Sequence, residues 1–251
     1  MNILITAGNT HAPIDKLRVI TNVFTGRTGA HLARTAWARG HRMTVLTSQP
    51  YTLSDLPDAA ADSDRRAVVI PFQTFDDLAG RFQHEVKTGK YDCIVHSAAV
   101  SDYLTAGAYA PDSGTYFNAR TKQWESREGA PTLHEANARK IGNDEPELWL
   151  RLMRAPKLVD RIRSPWGFQG LLVKFKLDVG VTDAELVDAA ERSRGKSGAD
   201  LMVVNTLESS SHFAFMGPIQ GTYERVDRRE VSERLFLNLE QLQRIRTQQH
   251  G

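Results

Sequence analysis

Apolar residues in this chain come in short runs that alternate with longer stretches of mixed character. Runs at 2–6, 43–47, 67–71, 92–96, 171–177 and 200–204 predict buried strands. Between them, apolar positions recurring at helical spacing predict helices at about 26–39, 74–88, 156–163 and 182–196. Such alternation predicts an α/β fold, a Rossmann-like, mainly parallel sheet with helices on both faces. The segments 212–217 and 221–226, parted by a short turn, predict a C-terminal antiparallel hairpin. Leu235, Leu237, Leu239 and Leu242 in a polar background predict a closing helix over 230–243, with 247–251 frayed.

Residues 104–139 break the pattern. They are rich in Gly, Ala, Ser, Thr and charge and show no sustained period. Long connections without structure in a compact domain are usually functional or disordered. The expectation is one α/β domain over 1–251, with 104–139 as a mobile insertion or lid.

Composition excludes some classes. The net charge is +2, with 41% hydrophobic and 25% charged residues, so nothing suggests a nucleic-acid partner and any attraction for anions must be local. No apolar stretch approaches the roughly 20 residues of a membrane span. Met1 leads directly into a strand, so no signal peptide is expected and a cytoplasmic setting is. The lone Cys93, inside the apolar run CIV, fits a buried strand residue in a reducing compartment.

The chemistry concentrates near the start. Ile3–Thr6 reads as a strand, Gly8 ends it, and Gly26 and Gly29 open the first helix. Strand, glycine turn and glycine-led helix bring backbone N–H groups up to phosphate. A dinucleotide fold makes that link in a few residues, whereas here a long detour intervenes, carrying Pro13, Asp15, Arg18 and Asn22.

That detour resembles the signature of the phosphopantothenate–cysteine ligase family, the ligase half of a bacterial bifunctional coenzyme A flavoprotein. The family pattern GGT-x-x-PID followed by R-x-I-x-N-x-S-S-G is matched by Gly8, Thr10, Pro13, Ile14, Asp15, Arg18, Ile20, Asn22 and Gly26. Its two serines stand here as Phe24 and Thr25. Further blocks follow in the family's order: AAVSDY at Ala98–Tyr103, Lys140–Ile141, FKLD at Phe175–Asp178 and NTLES at Asn205–Ser209.

The resemblance implies a stand-alone ligase that joins 4′-phosphopantothenate to cysteine through an acyl-nucleotidylate, using ATP or CTP with Mg²⁺ and no flavin. It implies catalytic roles for Asn22 and Lys140, substrate contacts from Arg18, Ala98, Ala99 and Asp102, and nucleotide contacts from Gly8, Thr10, Gly26, Phe175, Lys176 and Asn205. It names no metal ligands. Arg18 would act across a homodimer. Two other readings stand beside it. A non-catalytic nucleotide-binding relative is one. A nicotinamide-dependent reductase is the other, although AGNT replaces G-x-G-x-x-G and Ser48, not an acid, follows the second strand. Asn22 could also be a helix cap, and His96 a packed core histidine.

Overall fold

The structure is a computed structural model and describes residues 1–56, 67–136 and 145–250. These residues form two compact units. The first joins Met1–Thr10, Val23–Val100 and Lys157–Gly251, and the second joins His11–Asn22 and Ser101–Pro156.

The first unit is built on eight strands: β1 (Asn2–Ala7), β2 (Arg42–Thr47), β3 (Ala67–Pro71), β4 (Cys93–His96), β5 (Leu171–Asp178), β6 (Leu201–Thr206), β7 (Phe213–Ile219) and β8 (Thr222–Asp227). They lie in the order β8-β7-β6-β5-β4-β1-β2-β3. β1 to β6 are mutually parallel, while β7 and β8 form the antiparallel hairpin at one edge. The parallel part has the strand order of the doubly wound dinucleotide fold. Its order reverses between β1 and β4, where such sheets bind ligands at their C-terminal edge.

Among the described residues four α-helices cover the sheet: α1 (Arg27–Ala38), α2 (Phe75–Thr88), α3 (Asp183–Ser197) and α4 (Val231–His250). Alternation along the strands sends Ile3, Ile5, Val95 and Val173 into one core with Leu32 and Ala33 of α1 and Leu235 and Phe236 of α4. Intervening residues face the other way. There Phe82 of α2 stacks on His96 at 5.3 Å, and Lys174 Nζ donates to Ser193 Oγ of α3 at 2.7 Å. Helices therefore lie on both faces, as the periodicity predicts. α2 and α3 each begin with a capping box, Thr74 with Asp77 and Thr182 with Glu185.

The expected helix at 156–163 is only a 3-10 turn, Leu158–Arg161, and α4 runs on to His250 where fraying was expected. The second unit holds strands that the sequence pattern does not announce. A hairpin pairs His11–Pro13 with Val19–Thr21, and Tyr103–Pro111 lies between Leu133–Glu135 and Trp149–Arg154. Thr115–Asn118 pairs with Gln123–Ser126, and Phe117, Trp124 and Trp149 meet with centroids 4.7 to 5.4 Å apart. Much of the segment read as a structureless insertion is thus antiparallel strand around a small aromatic cluster.

Candidate active site

The glycines at the end of β1 are set by close packing. Gly8 and Gly26 have φ of +83° and +75°, a left-handed region that favours glycine. A Cβ on Gly8 would stand 2.2 Å from Ser48 Oγ, and one on Gly26 would stand 3.2 Å from Gly8 Cα and 3.4 Å from Gln49 Cγ. The end of β1, the start of α1 and the residue pair after β2 therefore converge without room for side chains. Gly26 is the N-cap of α1 and offers no side-chain cap, and no acid lies in the first turn. The N–H groups of that turn are the donors a phosphate uses. The chain leaves the first unit after Thr10 and re-enters at Val23, so the long detour is an excursion into the second unit.

At the switch point, β1 and β4 keep pairing beyond their regular ends. Ala99 N–H donates to Gly8 O at 2.8 Å, and Thr10 N–H donates to Ala99 O at 3.2 Å. Gly8, Thr10, Ala98 and Ala99 are thus brought together at the C-terminal edge. Thr10 is fully buried and its N–H is engaged, so in this geometry it supports the edge.

The sequence reading missed Asn9, Ser48 and Gln49. Asn9 N–H donates to Ser48 Oγ at 2.9 Å, Ser48 Oγ donates to Asn9 Oδ1 at 3.0 Å, and Gln49 Nε2 approaches the same oxygen at 3.4 Å. The absence of an acid after β2 was the available signal. A nicotinamide fold uses an acid there to hold the ribose, whereas Ser48 here ties two strand ends together.

Phe175, Lys176 and Asn205 lie on neighbouring parallel strands, with Leu177 opposite Asn205 in register. Phe175 packs half-buried against the core on the α1 side. Lys176 ion-pairs with Asp178 two residues along the same face. Lys174, deeper on that face, has its pKa lowered chiefly by burial. Asn205 Nδ2 reaches Thr206 O at 3.4 Å.

Arg18, Asn22 and Asp102 belong to the second unit. Asp15 organises the hairpin turn: its Oδ1 accepts from the N–H groups of Leu17 and Arg18, both at 2.8 Å. Arg18 pairs with the buried Asp15 carboxylate at 2.8 Å while its side chain stays 46% exposed. Asn22 does not cap α1, because the cap is Gly26, four residues later. Asp102 is exposed, and its backbone O accepts from Ala155 N–H at 2.8 Å. Lys140 lies outside the described residues.

His96 and Cys93 are core groups. His96 Nδ1 shares a hydrogen bond of 2.8 Å with Thr6 Oγ1, and burial, helped by nearby Lys174, pushes its pKa down to about 4. Burial pushes the Cys93 thiol up, away from the reactive thiolate. A depressed histidine pKa means that the unfolded chain binds the proton more readily. Stability contributed by neutral His96 is therefore present above the ordinary histidine pKa and lost as pH falls from about 6.5 towards 4, by up to about 3 kcal/mol. His96→Gln should flatten the melting temperature against pH over that window. An unchanged slope would mean that His96 does not govern acid stability.

Comparison with known proteins bears on the fold and on the family resemblance. Residues 1–110 match the family model for the DNA/pantothenate metabolism flavoprotein C-terminal domain. The bifunctional coenzyme A biosynthesis protein CoaBC of Thermococcus kodakarensis is 30% identical over 247 residues, covering 96% of this chain and 51% of that protein. The chain thus spans about half the length of the curated relatives it matches. The DNA/pantothenate metabolism flavoprotein of Streptococcus pneumoniae superposes with a TM-score of 0.74 at 26% identity, covering 96% of this chain and 99% of the other. A Cab2 mutant in complex with phosphopantothenate-cysteine shares the fold, with a TM-score of 0.67 at 17% identity over 96% of this chain and 86% of that one. The resemblance carried by the motifs and the α/β fold class are both borne out.

Proposed function

We propose that this chain, a relative of the coenzyme A ligase domains over nearly its whole length, joins 4′-phosphopantothenate to cysteine at the expense of ATP or CTP. The observation that carries this reading is the meeting of Gly8, Gly26, Ala98 and Ala99 at the switch point of a doubly wound sheet. Two sequence blocks, far apart in the chain, pair into one edge of small residues in the unit that also carries the N-terminus of α1.

The chemistry has two steps. A carboxylate oxygen of phosphopantothenate attacks the nucleotide α-phosphorus, and the bond to pyrophosphate breaks. The cysteine amine then attacks the acyl carbon, the nucleoside monophosphate leaves, and the amine gives up a proton. Both steps gather negative charge, which the N–H groups of the Gly8–Gly26 loop, Lys176 and, by resemblance, Lys140 would stabilise. A carboxamide such as Asn22 can donate to the acyl oxygen and accept from the amine together. Arg18, its fork held by Asp15, suits the pantothenate phosphate. Among the described residues no three His, Cys, Asp or Glu side chains converge on a common point. Mg²⁺ is read as entering on the nucleotide's phosphates, the usual mode for this ion.

The second unit leaves Leu17, Tyr103, Leu152 and Met153 exposed at 69%, 55%, 43% and 48%. These side chains belong to the unit that carries Arg18, whose proposed role needs two chains to pair. Amide and pyrophosphate should form together only with phosphopantothenate, cysteine, nucleotide and Mg²⁺ all present, and light scattering should give twice the chain mass. Nucleotide binding without turnover would favour the non-catalytic relative, and an active monomer would remove the shared-site role of Arg18.

A further inference from the structure

The hairpin at the edge of the sheet turns one face to the core and leaves the other open. Pairing sets Phe213 opposite Asp227, Ala214 opposite Val226 and Phe215 opposite Arg225. Ala214 and Val226 are buried in the core shared with α1 and α4, so Phe213, Phe215, Arg225 and Asp227 lie on the other face. There the Arg225 guanidinium sits 3.7 Å from the centre of the Phe213 ring, and Phe215 meets that ring edge-on at 5.6 Å. Ser211 and His212, from the turn after β6, join Phe213, Arg225, Asp227 and Arg229 around a cavity of about 460 Å³. Cavities of this size hold small ligands.

The lining is chemically selective. A guanidinium held on an aromatic ring offers its second face to another planar group. Arg34, Arg39 and Arg163 are taken up by Asp55, Glu240 and Asp200, whereas among the described residues Arg225 has no carboxylate partner. Asp227 Oδ1 accepts from Arg229 N–H at 2.9 Å, and among the described residues its Oδ2 accepts from nothing. An ionised carboxylate accepts and never donates, so it selects N–H groups. A stacking face with such an acceptor at its rim fits a nucleobase that carries an exocyclic amino group, as cytosine and adenine do.

The cavity lies at the same edge of the sheet as the glycine loop. Ser209, the last residue of the NTLES block, accepts from Phe213 N–H at 3.0 Å. Arg228, next to Asp227, reaches from the end of β8 to the first turn of α1, where its Nη2 donates to Thr28 Oγ1 at 2.5 Å. One arginine side chain thus spans the interval between the cavity rim and the helix that starts after Gly26. Phe175, the aromatic that the resemblance assigns to the nucleotide, packs against the core.

We propose that this cavity takes the base of the nucleotide, stacked on the Arg225 guanidinium, with Asp227 accepting from the exocyclic amino group. The inference rests on the nucleotide reading of the Gly8–Gly26 loop and adds the choice of base, which a phosphate loop cannot make.

Calorimetry in the absence of phosphopantothenate tests this without turnover. Wild type should bind CTP or ATP, whichever it uses, about 10-fold more tightly than UTP or ITP, whose bases turn a carbonyl oxygen towards Asp227. Arg225→Ala should weaken that nucleotide about 10- to 100-fold and leave the affinity for inorganic triphosphate unchanged. Arg225 is exposed, so the melting temperature should hold. Arg225→Lys keeps the charge and loses the plane, and should behave like Arg225→Ala. Asp227→Asn should remove the preference for the amino-bearing base. Parallel loss of triphosphate binding in Arg225→Ala, or full recovery in Arg225→Lys, would mean a site for phosphate and overturn the proposal. A wild type indifferent to the amino group, or nucleotide affinities that ignore both substitutions, would overturn it while leaving the ligase reading intact. A chain that makes no amide, yet shows a base preference dependent on Arg225 and Asp227, would remove the ligase reading and keep the base site. A wild type that binds no nucleotide overturns the proposal outright.

Discussion

Asn22→Asp is expected to abolish amide formation while pyrophosphate is still released, roughly once per site. Activation of the carboxylate depends on charge stabilisation at the α-phosphate, and the loop N–H groups that supply it in the proposed scheme are untouched by this change. Transfer to the amine needs a neutral donor at the acyl oxygen. A carboxylate at position 22 cannot donate and repels the developing oxyanion. Losing one such donor typically costs about 10²–10³ in rate. The structure sharpens the experiment, because the competing role of Asn22 as a cap of α1 is taken by Gly26. Loss of amide through a damaged helix start is therefore not expected. Mass spectrometry of the quenched reaction should reveal the acyl-nucleotidylate. Amide production near the wild-type rate would sink the catalytic assignment. Loss of pyrophosphate release with both ligands still bound would move Asn22 into the first step.

Gly29→Ala should be strongly destabilising although alanine is the better helix former. A Cβ at position 29 would stand 2.2 Å from Ala7 Cβ and 3.0 Å from Ala7 Cα, and neither atom is the end of a flexible chain. The helix must move off β1, carrying its first turn and Gly26 away from Gly8. Overpacking of this kind costs about 1–3 kcal/mol, occasionally more. In a chain of this size that lowers the melting temperature by roughly 2–4 °C per kcal/mol. Nucleotide affinity should fall with it, because the same displacement opens the loop. Ala7→Gly in the same chain removes the closest contact and should restore part of both losses. A Gly29→Ala protein with wild-type melting temperature and nucleotide KM would show that α1 does not rest on β1 as described.

The two predictions depend differently on what is legible in the sequence. The strand β3 coincides with its predicted run at 67–71, and α1, α2 and α3 begin and end within a residue of the predicted spans. Strands covered on both faces read as continuous apolar runs, and capped amphipathic helices announce their own ends, so local pattern suffices for them. The second unit has neither signal. Strands such as Val19–Thr21 and Leu133–Glu135 are short and exposed throughout, so no alternation of apolar and polar positions marks them. Their pairing is set by partners distant in sequence.

For the candidate site, the sequence by itself supplied the candidate residues and the order in which they come. The glycine pair, the Asp15–Arg18 turn, Asn22 and the small residues at 98 and 99 were nominated from local pattern, and of their proposed roles the tight turns are visible in the structure. Tertiary structure alone decided which of them share an edge. Gly8, Thr10, Ala98 and Ala99 meet through parallel pairing of β1 with β4, across about 90 intervening residues. It also decided that Thr10 is buried, that Asn22 is not a cap and that Ser48 ties β1 to β2. Arg228 shows the limit most clearly. Nothing around it in the chain distinguishes it from Arg225 or Arg229. What sets it apart is that its Nη2 donates to Thr28 Oγ1 at the start of α1, and that depends on packing between segments 200 residues apart.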